Sequence, residues 1–179
     1  MAMHVFLDSC ARKEVGIHFV GEGRVAVASD GMQSYPDYVM LGSASRGTKV
    51  VLFIRKDLLD EVSLVATRAM VVVLEVGGCQ VVGVYAKCGV GVHVMRDWLG
   101  SVEGWIGGGD WVVLGDWNAY YHTWSLDGRL GPGGRVLAEW VLEQRAEVHF
   151  GEGGTFEQRR GRNMVQSRID ITVMSPDSG

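Results

Sequence analysis

Two runs rich in β-branched residues, 70–76 and 79–85, are separated by nothing but Gly77-Gly78. Two glycines reach the backbone conformations that a two-residue turn needs, so the segment predicts an antiparallel hairpin. A hairpin of this length has two faces to cover, and the rest of the chain offers the partners. Further short apolar runs stand at 50–54, 111–114 and 169–173, with weaker ones at 17–20 and 38–41. Twenty-six glycines in 179 residues, about twice the usual share, punctuate them. Strands therefore dominate.

Helical spacing occurs in three places. It spans 4–14 (Val5, Leu7, Cys10, Ala11) and 92–106 (Val94, Met95, Trp98, Leu99, Val102, Ile106). The third, 134–145, follows a Gly/Pro loop at 131–133 and turns Val136, Leu137, Trp140 and Val141 inward. Trp98 and Trp105, seven residues apart, read as core rather than as a base-stacking platform. Strands in two sheets with helices packed outside them make an α/β (α+β) sandwich, and residues 1–179 form one domain without an internal linker.

Composition narrows the function classes. A net charge of −4 excludes a surface that is basic throughout, though it leaves room for a local basic patch. Cys10, Cys79 and Cys88 form no CxxC pair and are too few for a disulfide framework, which argues against structural zinc. No apolar run reaches the roughly 18 residues of a membrane span. The start, residues 1–8, meets Asp8 before a signal-peptide core is built, so the expected location is intracellular, in nucleus or cytoplasm.

Several motifs dissolve on inspection. Residues 42–49, GSASRGTK, lack the Lys that a phosphate loop places after its second glycine. His4, His18, His93, His122 and His149 show no ligand spacing. One stretch remains: a buried strand ends in Gly115, then presents Asp116 and Asn118 two positions apart. In an extended segment those side chains point the same way, and a carboxylate beside a carboxamide suits a hard cation and a phosphate oxygen. The same pair is also ordinary turn chemistry.

Other residues extend the pattern. Gly115-Asp116-Trp117-Asn118-Ala119 matches the GD[FLW]N motif of the endonuclease/exonuclease/phosphatase superfamily. Trp124 takes the place of the tryptophan in the GDFNAHHxxW pattern of LINE-type (non-LTR) retrotransposon endonucleases. Thr155-Phe156 followed by Ser167-Arg168-Ile169-Asp170 matches their T-F…S-x-I-D segment. Phe19-Val20-Gly21-Glu22 fits the strand-ending QE motif with Gly for Gln, and Val84-Tyr85 fits V-Y-x-P with Lys87 for Pro. The chain thus resembles that superfamily over nearly its whole length, with the retrotransposon endonucleases nearest.

The resemblance implies a DNase I-like four-layer sandwich and Mg²⁺ (or Mn²⁺)-dependent nicking of DNA by water attack. By the same resemblance Glu22 is the principal metal ligand, and Asp170 joins the metal cluster from the last strand. Asp116 orients or deprotonates the water, Asn118 holds a phosphate oxygen and Tyr85 contacts the scissile phosphate. It further implies DNA as partner, a reverse transcriptase domain in the full-length polypeptide and no membrane. Arg159, Arg160, Arg162 and Arg168 fall where the family has a hairpin beside the substrate groove. By that placement they could touch the phosphate backbone, although basic runs on loops are more often simply solvated.

There are departures. The family's opening strand, with its metal-supporting Asn, and its closing S-D-H strand have no counterpart in the 179 residues. Tyr120-Tyr121 replace the paired histidines. The expectation is a domain truncated at both ends, short of edge strands, with little turnover of its own. Two alternatives are a degenerate remnant that only binds DNA or a protein partner, and a phosphatase acting on small phosphate esters, which Trp124 and Ile169-Asp170 disfavour.

Overall fold

A computed structural model of the chain describes residues 16–21, 32–42, 49–126, 128–150, 156–160, 163–167 and 170–176, the segments 156–160 and 163–167 as backbone alone. The helix expected over 4–14 lies outside the described residues. The Gly77-Gly78 hairpin forms as expected: β6 (Val71–Val76) and β7 (Cys79–Tyr85) pair in register from Val71 with Val84 to Val76 with Cys79. Around it grows a six-stranded sheet. β5 (Val62–Arg68) lies outside β6, β8 (Trp111–Asp116) runs parallel to β7, and β12 (Asp170–Met174) and β9 (Glu147–His149) complete the other side.

Parallel neighbours cannot be joined by a tight turn. The β7–β8 crossover is made by α1 (Val92–Glu103). A second helix, α2 (Pro132–Glu143), packs beside it. Together they cover one face of the sheet, where Met95, Leu99, Val136, Leu137 and Trp140 meet Val73, Val82, Val84, Val113 and Val173.

The opposite face meets a second, four-stranded sheet in the order β1 (Ile17–Gly21), β4 (Val50–Arg55), β3 (Tyr38–Gly42) and β2 (Met32–Ser34). Val72, Leu74, Val81 and Tyr85 pack there against Val39, Leu41, Val50, Leu52 and Ile54. A sheet buried on both faces cannot alternate apolar with polar residues, which is why 71–74 and 81–84 read as continuous apolar runs. On the far side of the four-stranded sheet Tyr38, Met40, Val51 and Phe53 are buried as well. A separate hairpin pairs β10 (Phe156–Arg160) with β11 (Asn163–Ser167).

Several boundaries move. α1 stops at Glu103, so Ile106 reaches the core from the following turn rather than from the helix. α2 begins at Pro132, with Gly131 as its N-cap, so the expected loop at 131–133 is largely the first helical turn; proline at N1 forgoes a hydrogen bond the helix start never makes. The last strand is 170–174, one residue later than expected. Trp98 and Trp105 are only half-buried and pack against the rim of the core. Among the described residues no helix is long and apolar enough to cross a membrane.

Candidate active site

Three strands end in one row. Asp116 is the register partner of Tyr85 across the parallel β7–β8 ladder and of Asp170 across the antiparallel β8–β12 ladder. Alternation along β8 sends Val113 to the helix side and Leu114 to the inter-sheet side, so Asp116 follows Leu114. Tyr85 shares that side, and Asp170 shares it because Ile171 and Val173 face the helices. Tyr85, Asp116 and Asp170 thus stand side by side at the rim between the sheets. Directly opposed antiparallel residues have Cα atoms about 4.5–5.5 Å apart, which brings the two carboxylates together.

Gly115 makes the row possible. Its φ is +154°, and a Cβ there would overlap the Val84 carbonyl oxygen on the neighbouring strand. Only glycine lets β8 close on β7 at this level.

Asn118 reaches the row by a different route from the one its spacing suggests. The strand ends at Asp116, and Asn118 adopts the left-handed conformation, φ +45°. Extended alternation therefore does not align the two side chains. The Asn118 backbone N–H donates to Asp116 Oδ1 at 3.0 Å, closing an Asx turn. The Asn118 side-chain Nδ2 donates to the Ala86 carbonyl at 2.9 Å, and Ala86 N–H donates to the Asp116 carbonyl at 2.8 Å. Among the described residues the Ala86 contact is the one hydrogen bond of that side chain, so one amide hydrogen and Oδ1 remain for other work. The Ala86 backbone, which no sequence motif singles out, thus ties Asn118 to the end of β8.

The loop beyond is held from the helix side. Trp117 is fully buried, its Nε1 donating to the Ile171 carbonyl at 3.1 Å and its ring edge-on to Trp98 at 5.4 Å. Trp124 Nε1 donates to the Ala119 carbonyl at 2.8 Å, and Tyr121 N–H donates to Ser125 Oγ at 2.9 Å. Gly134 on α2 fits against the Tyr120 carbonyl so closely that a Cβ would overlap it, and Gly131 N–H donates to the same oxygen at 2.8 Å. Two glycines inside a first helical turn are the signal for this close approach that sequence reading passed over.

Glu22, Arg162 and Arg168 lie outside the described residues, as do Thr155 and Ile169. Gly21, from which the chain enters Glu22, ends β1 so near the row that a Cβ on it would stand 3.5 Å from the Asp116 Cβ. Arg159 and Arg160 are on β10, described as backbone. Among the described residues no three His, Cys, Asp or Glu side chains gather as a ready metal site. Asp116, Asp170 and Asn118 carry oxygen donors, the kind taken by Mg²⁺, a cation commonly held by one or two carboxylates and otherwise by water and substrate.

No family model matches the sequence, and no curated protein does. Solved structures do. The endonuclease domain of TRAS1, a telomere-specific non-LTR retrotransposon, superimposes over 96% of this chain and 78% of its own with a TM-score of 0.74 at 20% identity. An AP endonuclease from Archaeoglobus fulgidus does so over 97% and 81%, with a TM-score of 0.66 at 14% identity. The chain has the DNase I-like fold. The expected architecture is thereby borne out, with a four-stranded and a six-stranded sheet face to face and helices on the outside of the larger. In this DNase I-like sandwich the ends of β7, β8 and β12 and the adjoining end of β1 share one rim.

Proposed function

We propose that the chain is a phosphodiesterase that nicks DNA with the help of a divalent cation, Mg²⁺ or Mn²⁺. The observation that carries the reading is the row of Tyr85, Asp116 and Asp170, completed by Asn118 on its Asx turn. Likeness of fold to two nucleases supports it. Hydrolysis needs a base for the water proton, donors for the phosphate oxygens and relief of the negative charge that builds on them. Asp116, buried and fixed through its backbone and one carboxylate oxygen, serves as the base or the group that aims the water. Tyr85 and the remaining amide hydrogen of Asn118 donate to phosphate oxygens.

Two carboxylates directly opposed across a ladder repel each other, a cost that a cation between them turns into attraction. Asp170 and Glu22 are assigned as the residues that hold it, with Asp116 beside them. When bound, the cation supplies Lewis-acid stabilisation of the phosphoryl oxygens. Arg159, Arg160, Arg162 and Arg168 are assigned to the phosphate backbone of the duplex. A reverse transcriptase domain in the same polypeptide is the expected companion of a nuclease of this kind.

The test is nicking of supercoiled plasmid by the 179-residue chain. The expected result is slow, Mg²⁺-dependent nicking that drops by about 10²-fold or more in Asp116→Asn, the scale on which single catalytic groups act. If wild type and Asp116→Asn bind plasmid alike and neither nicks above background, the chain is a binding remnant and the reading fails.

A further inference from the structure

An open groove of about 500 Å³ lies on the helix side of the sheet, lined by Arg68, Met70, Trp98, Ser101 and Trp105 with their neighbours. We propose that this groove is a stacking site for an unpaired nucleobase of the substrate strand. The proposal rests on the reading of the chain as a DNA phosphodiesterase and names a feature of the DNA it takes.

The groove and the row lie on opposite faces of the sheet and meet at its rim. Met70, in the turn between β5 and β6, accepts a hydrogen bond from Tyr85 N–H through its carbonyl at 2.9 Å. Trp98, on α1, meets Trp117 edge-on at 5.4 Å, and Trp117 follows Asp116 in the chain. A strand whose phosphate lies at Tyr85 and Asp116 would reach the groove by passing round the rim at Met70.

The chemistry of the lining selects the occupant. Two half-buried indoles give flat apolar surfaces, and the Arg68 guanidinium lies 5.8 Å from the centre of the Trp105 ring. Stacking on an aromatic ring with help from an adjacent guanidinium is how proteins hold unpaired bases without reading their identity. The guanidinium keeps its in-plane N–H donors for a base edge or a phosphate oxygen. Among the described residues Arg68 has no ion-pair partner, and the groove is lined by no Asp or Glu. An apolar peptide laid there would bury that cation uncompensated. A nucleotide brings both a π-face for the indole and an anion for the guanidinium.

The test is fluorescence anisotropy with a labelled oligothymidylate and with a duplex of equal length, in EDTA, so that neither metal nor turnover enters. Trp105→Ala is expected to weaken single-strand binding about tenfold or more, Trp105→Phe to restore most of it, and both to leave the duplex within about threefold. Arg68→Ala, an exposed change that carries the test if Trp105→Ala does not fold, is expected to weaken the single strand and lower its salt slope by about one. Equal single-strand affinity in wild type and these variants, or equal losses for both DNA forms, overturns the proposal. So does a wild type that binds no single strand, even if it nicks plasmid in an Asp116-dependent way. Selective single-strand losses alongside absent nicking would uphold the groove and overturn only the catalytic reading.

Discussion

The two faces of the six-stranded sheet are both dry, yet they are built from different materials and do different work. Toward the four-stranded sheet the contacts are mostly aliphatic, Val72, Leu74 and Val81 against Val50, Leu52 and Ile54, with no tryptophan among them. Toward the helices three tryptophans cluster, Trp117 and Trp140 at 6.2 Å and Trp111 and Trp140 at 5.9 Å, and two of the three indole N–H groups are used. Trp117 bonds the Ile171 carbonyl, and Trp140 bonds Glu103 Oε1 at 2.9 Å. Aliphatic packing is indifferent to direction, whereas an indole with a spent N–H fixes an orientation. The candidate catalytic groups face the aliphatic side, but the loop that aims Asn118 is anchored on the aromatic side. The candidate catalytic groups and the hydrogen bonds that anchor their loop therefore sit on opposite faces.

The largest effect is expected where the two functions meet. Gly115→Ala sets a methyl group against the Val84 carbonyl at a φ of +154°, so both the strand pairing and the Asp116 backbone must shift. A loss of about 4 kcal/mol or more in urea unfolding is expected, together with loss of nicking, because steric overlap and backbone strain add. A stable, active Gly115→Ala variant would show that β8 does not approach β7 this closely.

The next pair separates the faces. Leu52→Ala, fully buried between the sheets, is expected to lower stability by about 2–5 kcal/mol while the folded fraction keeps its nicking rate within about twofold. Trp117→Phe keeps a ring in the helix-side core but drops the bond to Ile171. Its stability cost is expected to be smaller, about 1–3 kcal/mol, with a fall of tenfold or more in nicking. Unfolding curves and initial rates on the same samples check this; activity that follows stability in both variants would erase the distinction between the faces.

What could be read beforehand follows the same division. The hairpin announced itself because Gly77-Gly78 sits between two runs that are buried on both sides, and the helix-side residues of 134–145 announced themselves by spacing. β5 did not: it is an exposed edge strand, and the shift of register between Leu64 and Ala66 breaks the alternation by which a strand is recognised. At the site, the motif around Gly115 picked out Asp116 and Asn118, and Tyr85 and Asp170 were named from resemblance. Their meeting depends on register between strands far apart in sequence, which composition and periodicity do not encode. The conformation of Asn118 was misread for a related reason. An i, i+2 spacing is equally compatible with a continuing strand and with an Asx turn, and the bond from Asn118 to the Ala86 carbonyl lies 32 residues away in sequence.

The smallest effect belongs to the four-stranded sheet, remote from the aromatic anchors, and appears only on acidification. His18 on β1 lies opposite Phe53, with its ring edge-on to Tyr38 at 5.5 Å, and partial burial pulls its pKa below the ordinary 6.5. The unfolded chain then takes up a proton near pH 6.5, before the folded chain does, so stability falls as pH drops through that value and levels off below the lowered folded pKa. Above about pH 7.5 both states hold His18 neutral and the contribution is constant. Comparing urea midpoints of wild type and His18→Gln from pH 7.5 to 5 cancels the carboxylates common to both. Wild type is expected to lose more than the variant, and the indole-anchored side is expected to contribute nothing to that difference, since Trp98, Trp111, Trp117 and Trp140 do not titrate. Parallel midpoints in the two proteins would mean that His18 is as well solvated in the folded sheet as in the unfolded chain.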